Sequence, residues 1–163
     1  MTRMRMVYVL LLTMVGGCSH APAPRRAPDP VLVAWNAGDQ PGAIAALLDW
    51  AGAGPVSSLP PIASDLSERE VIKRLRRAGP NGQQTVLRPL QNEYDALKAL
   101  TRAVLDEAAT AAAAGDLSRA HDLIDAAEAL GVVHQRPGFS RYAVMVGKAI
   151  QAAARTQRAR LFP

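Results

Sequence analysis

Cysteine is almost absent from this chain, which holds a single one, Cys18, among 163 residues. One thiol excludes an internal disulfide, and it also excludes a structural zinc site that needs several thiolates. Aromatic residues make up only 4% of the chain and no run of lysines occurs. The sequence therefore lacks the stacking platform and the dense positive charge of a typical nucleic-acid-binding surface, and we predict no nucleic-acid partner.

The chain also lacks the short motifs that carry well-known chemistry. It contains no HExxH, GxSxG, P-loop or GxGxxG pattern. His121 precedes Asp125 by four residues, which places both on one face of a helix, but exposed pairs with this spacing are commonplace. We therefore predict no catalytic residue, no metal site and no cofactor, and we expect the protein not to be an enzyme.

Alanine, in contrast, is abundant. It supplies much of the 49% of the chain that belongs to the apolar set AVILMFWYC, and alanine is the best helix former. Valine and threonine are too sparse, and alternation of apolar and polar residues too rare, for a sheet. The sequence predicts an all-α fold, a small bundle or an array of helical hairpins with about five or six helices.

The first residues have the parts of an export signal in order. Arg3 and Arg5 give a positive start, and the apolar core 6–15 follows with ten residues. A helix of this length rises about 15 Å, half of a hydrocarbon layer of about 30 Å, so it is too short for a comfortable permanent span.

At the end of this core, Val15, Gly16, Gly17 and Cys18 resemble the lipobox of bacterial lipoproteins. The resemblance implies cleavage between Gly17 and Cys18, a diacylglyceryl thioether on Cys18 and acylation of the new amino terminus. Several acyl chains would hold the protein on a membrane stably. Ser19 stands where an aspartate favours inner-membrane retention in that family, so the resemblance implies the periplasmic face of the outer membrane.

This reading divides the chain into three parts. Residues 1–17 are the lipoprotein signal peptide, residues 18–30 are the lipidated cysteine and a proline-rich linker, and residues 31–163 are the helical domain. Prolines within the linker prevent regular helix and favour an extended tether. They are Pro22, Pro24, Pro28 and Pro30.

Capping residues and apolar periodicity mark the helices of the body. Ser67 and Glu70 form a capping box, and the turn 79–82 is expected to end the helix that they open. We expect Leu117 and Ala153 to face the core. The predicted helices cover 31–37, 39–51, 67–78, 87–114, a segment capped by Asp116, and 140–158.

One short pattern occurs twice. Ala37-Gly38-Asp39 recurs as Ala114-Gly115-Asp116 at an offset of 77 residues, and each copy is followed by an alanine and then a bulky apolar residue. The pattern resembles the turn and second helix of a tetratricopeptide repeat. Glu107 departs from it, since the repeat has leucine there. A generic helical hairpin that packs closely through small residues is the alternative.

The segment 134–141 is the one loop where basic, aromatic and hydroxyl groups converge before a helix. Ser140 is placed to cap that helix, and His134, Arg136 and Arg141 form a possible anion-binding site near its positive end. The structural alternative is an ordinary connector with Phe139 tucked into the core.

Two classes of function fit these observations. The first is a lipid-anchored envelope protein that acts as a non-enzymatic helical adaptor or assembly factor, with the membrane bound through Cys18 and a protein partner held between helices. The alternative is an envelope enzyme, or a lipoprotein that binds a small ligand or an anion, at a site that no motif reveals.

Overall fold

The computed structural model describes residues 29–163. The predicted signal peptide, the lipobox-like residues and most of the predicted linker lie outside these residues. Within them the all-α prediction is confirmed, because helices contain 77% of the described residues and no strand occurs among them. The helices are α1 (Pro30–Asn36), α2 (Gln40–Gly52), α3 (Glu68–Ala113), α4 (Leu117–Val133) and α5 (Arg141–Leu161).

The two copies of the Ala-Gly-Asp pattern adopt the same turn. Gly38 and Gly115 have φ values of 81° and 83°, a conformation that glycine adopts without steric cost. After each glycine an aspartate caps the next helix: Asp39 accepts from the backbone N–H of Gly42 at 2.9 Å, and Asp116 accepts from that of Arg119 at 3.0 Å. The turns thus join α1 to α2 and α3 to α4 as equivalent hairpins.

The same residues are also buried in both hairpins. Ala43 and Leu47 in α2 are fully buried, and so are Ala120 and Ile124 at the matching positions of α4. Small alanines allow the helices to approach, and the bulky residue one turn later fills the space between them. The internal similarity seen in the sequence is therefore also a similarity of structure.

α3 is broken near its start. The capping box of Ser67 and Glu70 is present as predicted, but Gly79 has φ 65° and ψ −179°, which is not helical. The predicted turn 79–82 is wrong beyond that glycine, because helix resumes at Pro80 instead of Leu87. Proline is tolerated in the first turn of a helix, where its missing N–H has no intrahelical partner to lose. Residues of both segments line the same concavities, Val71 and Leu75 with Leu87 and Leu90, so the chain folds back at Gly79 as a hairpin. Residues 68–90 are called the basic arm below.

α3 packs with α4 and α5, α2 contacts both α3 and α4, and α1 contacts α2 and α3. Two predicted core positions are wrong, because Leu117 is 52% exposed and Ala153 is exposed, with Ala154 buried in its place. Leu117 is the first residue of α4, before the helix reaches its neighbours. The largest fully buried side chains of α2, α3 and α4 include Ile44, Leu47, Leu97, Leu100, Leu123, Ile124 and Leu130.

α4 and α5 touch through their backbones. A Cβ atom placed on Gly131 would lie 2.7 Å from the backbone nitrogen of Gln151 and 2.8 Å from the carbonyl oxygen of Gly147. One on Gly147 would lie 2.7 Å from the carbonyl oxygen of Gly131. Only glycine fits at this crossing, which sets the distance between the two helices.

The segment 53–67 between α2 and α3 has no helix, yet it is firmly attached to the body. Its side chains Leu59, Ile62 and Ala63 are buried in the core. Trp50 donates its indole N–H to the carbonyl oxygen of Pro60 at 2.9 Å, and Tyr94 donates its hydroxyl to that of Ser64 at 2.7 Å. Hydrogen bonds to its backbone thus replace those that a regular element would supply.

Candidate functional site

His134, the first residue of the possible anion site, is completely buried. Its Nδ1 lies 2.8 Å from the carbonyl oxygen of Leu130 and so carries the proton, whereas its Nε2 accepts from the backbone N–H of Ala63 at 3.3 Å. The imidazole is therefore neutral and joins the end of α4 to the segment 53–67. Both ring nitrogens are occupied by partners within the chain.

Burial lowers the pKa of His134 below its ordinary value of 6.5, and the nearby charge of Arg136 acts in the same direction. Below about pH 6.5, His134 binds a proton in the unfolded chain but stays neutral in the folded protein. We therefore expect stability from this group to be fully present above pH 6.5 and to be lost as the pH falls below it.

The measurement is the melting temperature between about pH 7.5 and 5.5 for the protein and its His134→Gln variant. The variant should show a smaller decrease on acidification, whereas His121→Gln, a change at an exposed histidine, should retain the full decrease. An equal decrease in the protein and His134→Gln would contradict this origin.

Arg136 also contacts the segment 53–67. Its guanidinium is half-buried and donates to the carbonyl oxygens of Leu59, at 2.7 Å, and of Val56. Charge-assisted hydrogen bonds of this kind are stronger than neutral ones. Phe139 lies half-buried against the core beside the ring of His134, with ring centroids 6.2 Å apart. Arg136 thus attaches the loop 134–141 to the segment 53–67 through hydrogen bonds.

At the start of α5, an anion is already provided by the chain itself. Ser140 caps the helix by accepting from the backbone N–H of Ala143 at 3.2 Å. The carboxylate of Glu68, at the base of the basic arm, accepts from the backbone N–H of Arg141 at 2.9 Å. A helix N-terminus favours a negative group there, and Glu68 fills that role.

The three predicted residues therefore lie in one region but serve different partners. His134 and Arg136 bind backbone groups, and only the Arg141 side chain is exposed with no ion pair within residues 29–163. Binding of an external anion by this set stays a prediction. The observed contacts give two of its three members a role in attaching the segment 53–67.

His121 and Asp125 do not form a dyad. The ring of His121 stacks on that of Phe162 with centroids 3.8 Å apart, and Asp125 pairs with Arg158 of α5. Glu128 joins this group through Arg155 at 2.9 Å and Arg158 at 3.2 Å. The polar side of α4 thus serves to bind α5.

An apolar groove lies between the basic arm and α5. It has a volume of about 420 Å³ and is open to solvent. Glu68, Gln91, Ser140 and Arg141 provide its polar edge. The apolar lining comes from both halves of the arm hairpin and from the first turns of α5, and consists of Val71, Leu75, Leu87, Leu90, Tyr94, Tyr142 and Met145. We call this surface the arm groove.

Met145 is the most exposed large apolar side chain of the described chain, at 59%. Lys148 lies beside it on α5, where both line a shallow surface that continues from the arm groove. Sequence reasoning missed this site because it depends on how the helix folds back at Gly79. The sequence indicates apolar stripes that include Leu75 on one predicted helix and Leu87 on the next, but it does not indicate that these two stripes face each other.

Residues 29–163 contain neither a cluster of metal ligands nor a membrane-spanning helix. No group of three or more histidine, cysteine, aspartate or glutamate side chains there is placed to hold a metal ion. No helix in the same part of the chain has the length and apolar character needed to cross a membrane.

Comparisons of the chain with protein-family models, with curated proteins and with solved structures found no match.

Proposed function

We propose that this chain is a lipid-anchored protein of the bacterial envelope whose helical body is an adaptor and not an enzyme. Cys18 carries the lipid, and the proline-rich linker that follows it spaces the body from the membrane. The proposed location is the periplasmic face of the outer membrane, on account of Ser19. The lipobox resemblance at the only cysteine of the chain supports the anchor.

The adaptor role is carried by one observation, the open arm groove. Its lining is almost entirely apolar, and Met145 at its edge is more than half exposed. Contiguous apolar surface left open to solvent is typical of a place where another molecule binds. A second concavity of about 810 Å³ lies on the basic arm, but it is lined mainly by charged side chains and is open to solvent, unlike the enclosed and mostly apolar pocket of a typical small-molecule site.

We assign to this groove an amphipathic helix of a partner protein, with an acidic flank. Helical segments already form the walls, and an additional helix would place its apolar residues against Leu75, Leu87 and Met145. Arg141 and Lys148 stand at the edge on the α5 side, so acidic residues on the partner would be complementary in charge.

The anchor is tested by Cys18→Ser. We expect the variant to incorporate no labelled fatty acid and to leave the outer-membrane fraction, because the thioether cannot form on a hydroxyl group in this reaction. Ser19→Ala is the matched control, since it changes the neighbouring residue and keeps the thiol. Fatty acid incorporation by Cys18→Ser equal to that of the parent would refute the anchor.

The adaptor role is tested with a photoreactive amino acid at Met145 in living cells. A second probe at Leu117 is the matched control, because both side chains are large, apolar and more than half exposed, but Leu117 lies outside the groove. We expect only the Met145 probe to give a discrete adduct, attached to a helix with acidic flanks. Equal adducts from both positions, or none from Met145, would contradict a partner in this groove.

A further inference from the structure

The basic arm contributes nothing to the buried core. No residue between Ala63 and Tyr94 is buried, although most of this stretch is helical. Helices in a protein usually obtain their stability by burying one face against other elements. A helical hairpin that buries no residue is typical of a structure made for contact with something outside the chain.

The arm carries an excess of positive charge that the body does not neutralise. Residues 68–90 hold six cations and two anions, whereas the rest of the described chain holds nine cations and twelve anions. The arm cations that are exposed and without an ion pair in residues 29–163 include Arg69, Lys73, Arg74, Arg76 and Arg77. A cationic arm on an acidic body orients the molecule with the arm toward negative charge.

The two carboxylates of the arm are engaged by backbone groups at its base. Glu70 accepts from the backbone N–H of Ser67 at 3.0 Å in the capping box, and Glu68 accepts from that of Arg141 at 2.9 Å. Neither is paired with an arm cation within 4.0 Å. The cations therefore remain available to an external partner.

One face of the segment 68–78 combines these charges with an apolar residue. Ile72 and Lys73 follow Arg69 by three and four residues and precede Arg76 by four and three, so the four side chains share a face of the helix. Ile72 is 40% exposed among them. Cations that reach phosphates, around an aliphatic side chain that reaches the acyl boundary, fit the chemistry of a phospholipid headgroup layer.

We propose that this face of the basic arm docks on an anionic phospholipid surface and so fixes the orientation of the body relative to the membrane. This docking requires contact of the basic arm alone with the lipid surface, and no other part of the body takes part. It rests on the proposed function for its setting, because a chain tethered through Cys18 is held close to such a surface at high effective concentration.

The three lysines of the chain allow a direct test, since Lys73 lies on the arm face and Lys98 and Lys148 lie outside it. The full chain is reconstituted into vesicles of phosphatidylcholine alone or with one third phosphatidylglycerol, and acetylation of each lysine is followed by mass spectrometry. We expect phosphatidylglycerol to slow acetylation of Lys73 by about five-fold or more and to leave Lys148 unchanged. Raising NaCl from about 0.1 to about 1 M should abolish the protection.

Arg69→Gln with Arg76→Gln should weaken the arm's partition onto phosphatidylglycerol by roughly 30-fold, about five-fold for each cation. Arg102→Gln with Arg160→Gln removes the same charge from exposed positions outside the arm and should retain the protection of Lys73. All four residues are exposed, so the fold is expected to persist, and far-ultraviolet circular dichroism of each variant checks this.

Equal acetylation of Lys73 in both vesicle types would overturn the proposal. Protection of Lys73 by soluble polyglutamate but not by phosphatidylglycerol would also overturn it and would indicate an acidic protein as the partner. Failure of the anchor is distinguishable, because it appears as fatty acid incorporation by Cys18→Ser and leaves the Lys73 result unaffected.

Discussion

Gly131→Ala is expected to destabilise the protein by about 2–3 kcal/mol despite the better helix propensity of alanine. The new methyl group would stand 2.7 Å and 2.8 Å from backbone atoms of α5, and backbone atoms cannot rotate away as a side chain can. α4 and α5 must therefore separate, and the contacts that depend on their spacing weaken. Among these is the side-chain amide of Gln135, which donates to the carbonyl oxygen of Gly131 at 3.1 Å and to Gln151 at 3.0 Å.

The measurement is urea unfolding followed by far-ultraviolet circular dichroism. Gly52→Ala is the matched control, because Gly52 is also helical and a Cβ atom there would meet nothing within 4 Å. That substitution should be neutral or stabilise by up to about 1 kcal/mol. A Gly131→Ala variant as stable as Gly52→Ala would show that the helices do not cross this closely.

Gly147→Ala should have a similar effect, since its methyl group would stand 2.7 Å from the carbonyl oxygen of Gly131. The double variant should cost less than the sum of the two single ones, because one separation of the helices relieves both clashes. Additive effects would indicate two independent sites.

His134→Ala is expected to destabilise the protein by about 3–5 kcal/mol. The change removes a fully buried ring, leaves a cavity beside Tyr94 and Phe139, and deprives the backbone N–H of Ala63 of its acceptor. Urea unfolding gives the magnitude. Hydrogen exchange should show the largest local increase in the segment 53–67, because that is where the ring is attached.

His121→Ala is the control for His134→Ala. His121 is exposed and only stacks on Phe162, so its loss should cost no more than about 1 kcal/mol.

Unfolding measured with added phosphate tests the prediction that His134, Arg136 and Arg141 bind an anion. Stabilisation of the protein by millimolar phosphate, lost in Arg141→Gln, would favour that prediction, whereas equal stability in all conditions would leave His134 with a structural role alone.

The sequence allowed accurate prediction wherever structure depends on neighbouring residues. The turns at Gly38 and Gly115, the caps at Asp39 and Asp116 and the capping box at Ser67 are set by residues within one helical turn of each other. The turn 79–82 failed as a prediction because glycine, proline and asparagine are compatible with both a turn and the first turn of a new helix. Which one forms depends on contacts made farther along the chain.

The candidate sites show the same division. The sequence places basic, aromatic and hydroxyl groups together in the loop 134–141, but the hydrogen-bond partners of His134 and Arg136 lie about 70 to 80 residues away in the segment 53–67. No periodicity relates these two stretches, so the role of His134 and Arg136 in binding backbone groups was not predictable. The arm groove was missed for the same reason, since its walls meet only after the chain folds back at Gly79.

The sequence by itself determined the helical class, the hairpin turns and their repetition at an offset of 77, because capping, glycine conformation and apolar periodicity act over a few residues. The lipobox resemblance at Cys18 is likewise a property of adjacent residues. Only the tertiary structure decided that His134 is buried, that Glu68 occupies the start of α5, and that the basic arm buries nothing. Each of these depends on which distant surfaces meet, and that is set by packing of the whole body.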